Sequence, residues 1–214
     1  LEAAATGMDA VVHTAGLTSY WSRRQPDLHR VNVVGTRNIL AACRSAGVGR
    51  LLYTSTIGTL GYLEQNQVGD ETTAFNWDGM GIGYFETKAQ AEHLVLGASD
   101  LEGVAVNPGI VFGPGDVNVN GLRMLLRSHR SGAGSVPPGA TTVAVLADVA
   151  RGHVSALERG RAGQRYVLGG TELSFWDLFG RIADVVGSSG PRRVLSKGLM
   201  RLLAGMQSVG GAIG

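Results

Sequence analysis

A chain of 214 residues, 44% hydrophobic and 17% charged, is long enough to bury one sizeable core, or one domain and part of a second. Its formal net charge of +2 is small, and its arginines are scattered apart from the pairs Arg23-Arg24 and Arg192-Arg193, which excludes a basic stripe for nucleic acid. The single cysteine excludes an internal disulfide, no zinc-type spacing is present, and no run of 18 apolar residues exists to span a membrane, so a cytoplasmic setting without metal, nucleic-acid or membrane partner is expected.

Residues 8–13 (MDAVVH) form a short apolar run ending in the small residues Thr14, Ala15 and Gly16, the pattern of a buried strand entering a turn. Pro26 and Asp27 open a long helix in which Leu28, Val31, Val34, Ile39, Leu40 and Cys43 recur at helical spacing until Gly47. Residues 50–56 (RLLYTST) predict a second buried strand, broken at Gly58 and Gly61. After a polar loop, residues 84–96 predict a helix stopped by Gly97. A third strand at 103–107 closes on Pro108-Gly109, and the glycines and proline of 110–116 (IVFGPGD) predict a loop.

Strands separated by helices of this length imply parallel crossovers, hence an α/β sheet with helices on both faces. Ligands bind such sheets beyond the carboxyl ends of the strands, here residues 14–16, 54–56 and 107–109. The last third reads differently: a strand at 141–146, a helix from a cap at Asp148 to Glu158, a short strand at 166–168, and a helix from Ser174 to Val186 with Asp177 completing a capping box. Residues 1–116 are therefore expected to form a partial dinucleotide-binding domain, and 117–214 mostly a smaller substrate-binding lobe interleaved with the sheet. The tail 191–214, with Leu195, Leu199, Leu202 and Leu203 among basic residues, predicts a docking helix.

The most telling pair is Tyr84 and Lys88, the latter one of two lysines in the chain. Positions i and i+4 share one face of a helix, so an ammonium at 88 can stand near a phenol at 84. A free tyrosine titrates near pH 10, and a neighbouring cation favours its phenolate, which is how tyrosine becomes an acid or base near neutrality.

The motifs HTAG at 13–16, VNVVGT at 31–36, YTST at 53–56, Tyr84 with Lys88, and NPG at 107–109 with GPGD at 113–116 fall in an order that resembles the extended short-chain dehydrogenase/reductases, the NAD-dependent epimerase/dehydratase superfamily. The segments KAQAEHLVL, AACRSAGV and LLYTST are more similar to the 3β-hydroxysteroid dehydrogenase and dihydroflavonol 4-reductase branch than to sugar-nucleotide epimerases. The resemblance implies a Rossmann-like, doubly wound parallel sheet that lacks its first strands, with a smaller C-terminal substrate lobe. It also implies NAD or NADP as cofactor, a small-molecule substrate and a homodimer packed through the helices at 26–46 and 84–96.

In the roles the resemblance implies, Tyr84 exchanges a proton with the substrate oxygen, Lys88 holds the nicotinamide ribose and depresses the Tyr84 pKa, and Thr56 stands where the family has its catalytic serine. Ser55 could share that role, and Thr54, Ser55 and Thr56 could equally satisfy backbone groups at a strand end. Ala15 and Gly16 give close approach to the dinucleotide, Asn32 lies near its nicotinamide half, and Pro108, Gly109, Ile110 and Val111 lie against the nicotinamide ring. His13 is read as a packed residue. The family's glycine loop for the pyrophosphate, with the residue that separates NAD from NADP, is not in this sequence, and the chain starts at Leu1; both point to an N-terminally truncated segment of a longer protein. Gly79, Gly81 and Gly83 precede Tyr84 and read as a mobile loop near the substrate. The expected activity is interconversion of a secondary alcohol and a ketone; the alternatives are a nucleotide-sugar epimerase or dehydratase, and a non-enzymatic or inactive fragment of the same fold.

Overall fold

In the computed structural model, residues 1–20, 22–63, 67–116, 122–196 and 198–199 are described. A short helix α1 (Glu2–Ala5) precedes strand β1 (Ala10–His13). The long helix predicted from Pro26 is composite: α2 (Gln25–Leu28) runs into a π-helical segment (His29–Val34) and then α3 (Gly35–Ala46). Gly47 ends it in the left-handed conformation at φ 70°, where its own N–H and that of Val48 bond back to the Arg44 and Cys43 carbonyls. Then come β2 (Arg50–Thr54), a 3-10 turn (Ile57–Leu60), α4 (Gly83–Leu96) and β3 (Glu102–Pro108).

Beyond β3 lie β4 (Ile110–Phe112), α5 (Leu122–Ser131), β5 (Gly134–Val136), β6 (Ala140–Val145), α6 (Leu146–Arg159), β7 (Arg165–Leu168), β8 (Thr171–Ser174), α7 (Phe175–Val186) and β9 (Pro191–Val194). Three expectations are corrected here. Residues 110–112 are a strand, because they pair in parallel register with Val143, Ala144 and Val145; their flanking glycines do not make a loop. Asp148 does not cap α6, which begins two residues earlier; it lies in the first turn, where it pairs with Arg151. Residues 191–194 are a strand paired with β5, not the start of a docking helix, and most of that tail lies outside the described residues. Ser174 does cap α7, its hydroxyl accepting from the Asp177 N–H at 3.0 Å.

The chain folds as two compact units, Leu1–Pro108 with Asp148–Leu168, and Gly109–Ala147 with Gly169–Gly214. The chain leaves the first unit at 108 and returns for α6 and β7, because β7 completes the sheet beside β3. The first unit is a parallel sheet in the order β1-β2-β3-β7. Its strands alternate by the two-residue period. Leu51, Tyr53 and Ala105 pack with Leu40 and Cys43 of α3 and Ala91 and Val95 of α4, while Leu52, Val104 and Val106 pack with Ala156 of α6. Both faces are thus covered by helices, which is why these strands are nearly continuous apolar runs. In the second unit β4, β6 and β8 form one sheet, β5 and β9 another.

Candidate active site

The ends of β1 and β2 and the first turns of α4 bring the predicted residues together within the first unit. Thr56, extended at φ −160°, caps the 3-10 turn, and its Oγ1 accepts the Gly58 N–H at 3.2 Å. A hydroxyl that accepts from a backbone amide keeps its own proton to donate. The Tyr84 phenol lies near the hydroxyls of Thr18 and Thr56, both of which favour its ionised form. Phe85 beside it fills the space over Gly58, where an added Cβ would lie 2.3 Å from the ring. Tyr20 stands edge-on to Tyr84 at 5.7 Å between centroids and is 70% exposed, so an aromatic rim borders the phenol.

Lys88 is 4% exposed. Its Nζ donates to the Thr54 carbonyl at 2.6 Å and lies 4.2 Å from the centre of the Tyr53 ring. Burial holds the Lys88 ammonium down at about 8, opposed by the Glu92 carboxylate one turn further along α4. The expectation that Lys88 depresses Tyr84 is corrected: burial pushes the Tyr84 phenol above its ordinary value, and the forces opposing this are the hydrogen bonds to Thr18 and Thr56. The amine donates one hydrogen bond to Thr54 and lies against the Tyr53 ring. Because Tyr84 stays protonated at neutral pH, it is an acid before it is a base.

Asn32 is engaged within the protein. Its Oδ1 accepts the Leu17 N–H at 2.7 Å, and its Nδ2 donates to the Leu17 carbonyl at 3.0 Å and to Thr87 at 3.1 Å. Both amide hydrogens are used, so this side chain anchors the loop after β1. That loop holds Ala15 and Gly16 exposed at the surface. A Cβ built on Gly16 would sit 3.4 Å from Asn32 Oδ1 and 3.7 Å from Lys88 Nζ, so glycine keeps the way to the amine open. His13 is packed, as expected: its ring donates through Nε2 to Thr36 at 3.0 Å, since the Thr36 hydroxyl gives its own proton to the Asn32 carbonyl. Burial, then the Lys88 charge, lowers its pKa to about 4.

The Thr54 hydroxyl is 2.8 Å from His153 on α6 and so is turned away from any cofactor on the Lys88 side. Ser55 is 4% exposed and its Oγ has no hydrogen-bond partner among the described residues. Pro108 ends β3 in the first unit. Gly109 begins the second, where its Cβ would lie 2.4 Å from the Thr142 carbonyl, and Ile110 and Val111 are half-buried in β4.

Residues that the sequence reading missed brace this arrangement. Glu92, 4% exposed, accepts from Arg165 at 2.9 Å, Thr59 at 2.8 Å and Asn107 at 2.7 Å, and Asn107 also donates to the Thr56 carbonyl at 3.2 Å. A glutamate four residues after Lys88 on an apolar helix face was the available signal. Arg165, more than seventy positions away, gave none.

Residues 1–161 match the 3-beta hydroxysteroid dehydrogenase/isomerase family. The chain belongs to this family. It is 29% identical to sterol demethylase protein B of Methylococcus capsulatus over 92% of its own length and 61% of that protein's. Among solved structures, it is similar to a nucleoside-diphosphate-sugar epimerase from Pseudomonas aeruginosa, with a TM-score of 0.81, 26% identity, and coverage of 97% of this chain and 66% of that one. It is also similar to the UDP-glucose 4-epimerase of Thermus thermophilus solved in complex with NAD, with a TM-score of 0.70, 25% identity, and coverage of 92% and 71%. The branch and the Rossmann-like parallel sheet expected from sequence are both borne out in this family member. No helix among the described residues is long and apolar enough to cross a membrane.

Proposed function

We propose that the whole protein is an NAD(P)-dependent oxidoreductase that interconverts a secondary alcohol and a ketone, with Tyr84, Lys88 and Thr56 handling the proton. The observation that carries this reading is the Tyr84 phenol near the Thr56 hydroxyl, which favours its ionised form, while the Lys88 amine lies one helical turn further along, buried and beside the open Gly16 position. These residues fit the nicotinamide end of a dinucleotide. Thr54 takes one N–H of the Lys88 ammonium, which carries three, so donors remain for ribose hydroxyls over Ala15 and Gly16. When bound, the dinucleotide supplies or removes the hydride.

In the direction of reduction, Tyr84 gives its phenolic proton to the carbonyl oxygen as that atom gains negative charge. Thr56, fixed by the Gly58 N–H, donates a hydrogen bond to the same oxygen. Solvent then restores the proton of the resulting phenolate, while Lys88 holds the ribose. Tyr84→Phe in the whole protein tests this: turnover should fall by about two to four orders of magnitude with dinucleotide affinity kept. Retained turnover removes Tyr84 from its role.

Similarity to the epimerases motivates a second reading, transient oxidation of a nucleotide sugar. Release of reduced cofactor during turnover favours the dehydrogenase; its absence, with interconversion of sugars, favours the epimerase. A homodimer through the helices at 26–46 and 84–96 forms part of this proposal, and light scattering of the whole protein tests it.

A further inference from the structure

We infer that His153 is a positioning residue for the Lys88 amine, acting through Thr54. The inference rests on the role proposed above for Lys88. His153 Nδ1 lies 2.8 Å from the Val149 carbonyl, one turn back on α6. A carbonyl only accepts, so Nδ1 carries the hydrogen and, in the neutral ring, Nε2 carries the lone pair. The Thr54 hydroxyl, 2.8 Å from Nε2, therefore donates to it. The carbonyl of the same threonine accepts from Lys88 Nζ at 2.6 Å.

Thr54 is the last residue of β2, where the strand stops and the chain turns toward Thr56. Its side chain is held by the α6 layer and its carbonyl by α4, which cover opposite faces of the sheet. Two χ1 wells are open to a threonine, and the ring selects one of them. With the acceptor removed, the hydroxyl must find another partner and the strand end loses its anchor on the α6 side. The carbonyl facing Lys88 is then held less firmly. The walls that bury the amine belong to other elements and stay in place, so a weaker acceptor further disfavours the charged form. His153 does not touch the phenol or the amine, and its action is on geometry alone.

In the whole protein labelled with 13C-lysine, the Lys88 side-chain signal, assigned by its loss in Lys88→Arg, is titrated by NMR, with a wild-type midpoint expected at about 8. His153→Phe and Thr54→Val should each lower that midpoint by about half to one pH unit, a three- to tenfold loss of proton affinity. His153→Gln, whose amide oxygen can take the place of Nε2, should restore it to within about 0.2 units. The double variant His153→Phe with Thr54→Val should shift no further than either alone, as expected of residues acting as one unit. An unchanged midpoint in both single variants, or additive shifts, overturns the inference. Thr54→Val keeps the shape of the side chain, so its comparison with His153→Gln decides the matter even where His153→Phe does not fold. Turnover in Tyr84→Phe fails or stands independently of this titration, which separates the positioning role from the proposed reaction.

Discussion

Replacing Glu92 by leucine removes the carboxylate that neutralises Arg165 inside the first unit. The two side chains are 5% and 17% exposed and meet at 2.9 Å, so neither charge can be recovered by water without opening the fold. Breaking a buried pair from one side typically costs about 3–5 kcal/mol. Arg165 keeps the Glu71 carbonyl at 2.9 Å and the Thr73 carbonyl at 2.6 Å, and Thr59 and Asn107 keep the Thr56 carbonyl, which together favour the lower end, about 3 kcal/mol. Urea unfolding at pH 7 should show that loss in the midpoint with the m-value unchanged. A thermal midpoint should fall by roughly 6–12 °C for a chain of this size. Adding Arg165→Met should return about 2 kcal/mol, the coupling of the pair. A single variant costing under about 1 kcal/mol, or a cycle without coupling, refutes the idea that this network braces the site. Glu92→Leu should also move the Lys88 midpoint below about 8, since the carboxylate supports the ammonium.

Gly58→Ala places a methyl 2.3 Å from the Phe85 ring; overpacking of this kind should cost about 1–3 kcal/mol in urea unfolding and shift Tyr84 away from Thr56, seen as lower turnover in the whole protein. His13, with a folded pKa of about 4 against 6.5 unfolded, binds fewer protons folded than unfolded in that window. Stability is therefore present above pH 6.5 and lost as pH falls through 4, by up to roughly 3 kcal/mol, and His13→Gln should flatten that acid limb of stability against pH. Lys88, lowered from 10.5 to about 8, has the same sign: stability is lowest below pH 8, rises between 8 and 10.5, and should lose that slope in Lys88→Met. In the direction of reduction, kcat/KM should fall as pH rises through about 8, where the free protein loses the Lys88 charge; a flat profile from pH 7 to 9 counts against it.

What local pattern controls was legible in the sequence. The three strands at β1, β2 and β3 and the helices α4 and α7 follow from apolar period, a serine cap and glycine stops, all of which act within a few residues. The pairing of Tyr84 with Lys88 on one face of α4 follows from helix spacing, whereas the role of Thr56 came from the family resemblance. Position 110 was misread because Gly109 and Gly113 look like loop punctuation, whereas the structure needs them small against Thr142 and Leu146. Such close approaches are tertiary and leave no mark on the local pattern. The Thr54–His153 bond joins residues 99 positions apart, and the Tyr84 pKa is governed by burial, which no i to i+4 rule reports.

The wide turns at His29–Val34 bear on which insertions and deletions this lineage can accept. A π-helical stretch holds more residues per turn than the α-helices on either side. Losing or gaining one residue there would rotate α3 by about 100° relative to α2, swinging Asn32 away from Leu17 and unfastening the loop over Lys88. Length variants should therefore be rejected across this stretch, which a scan of single-codon indels would reveal.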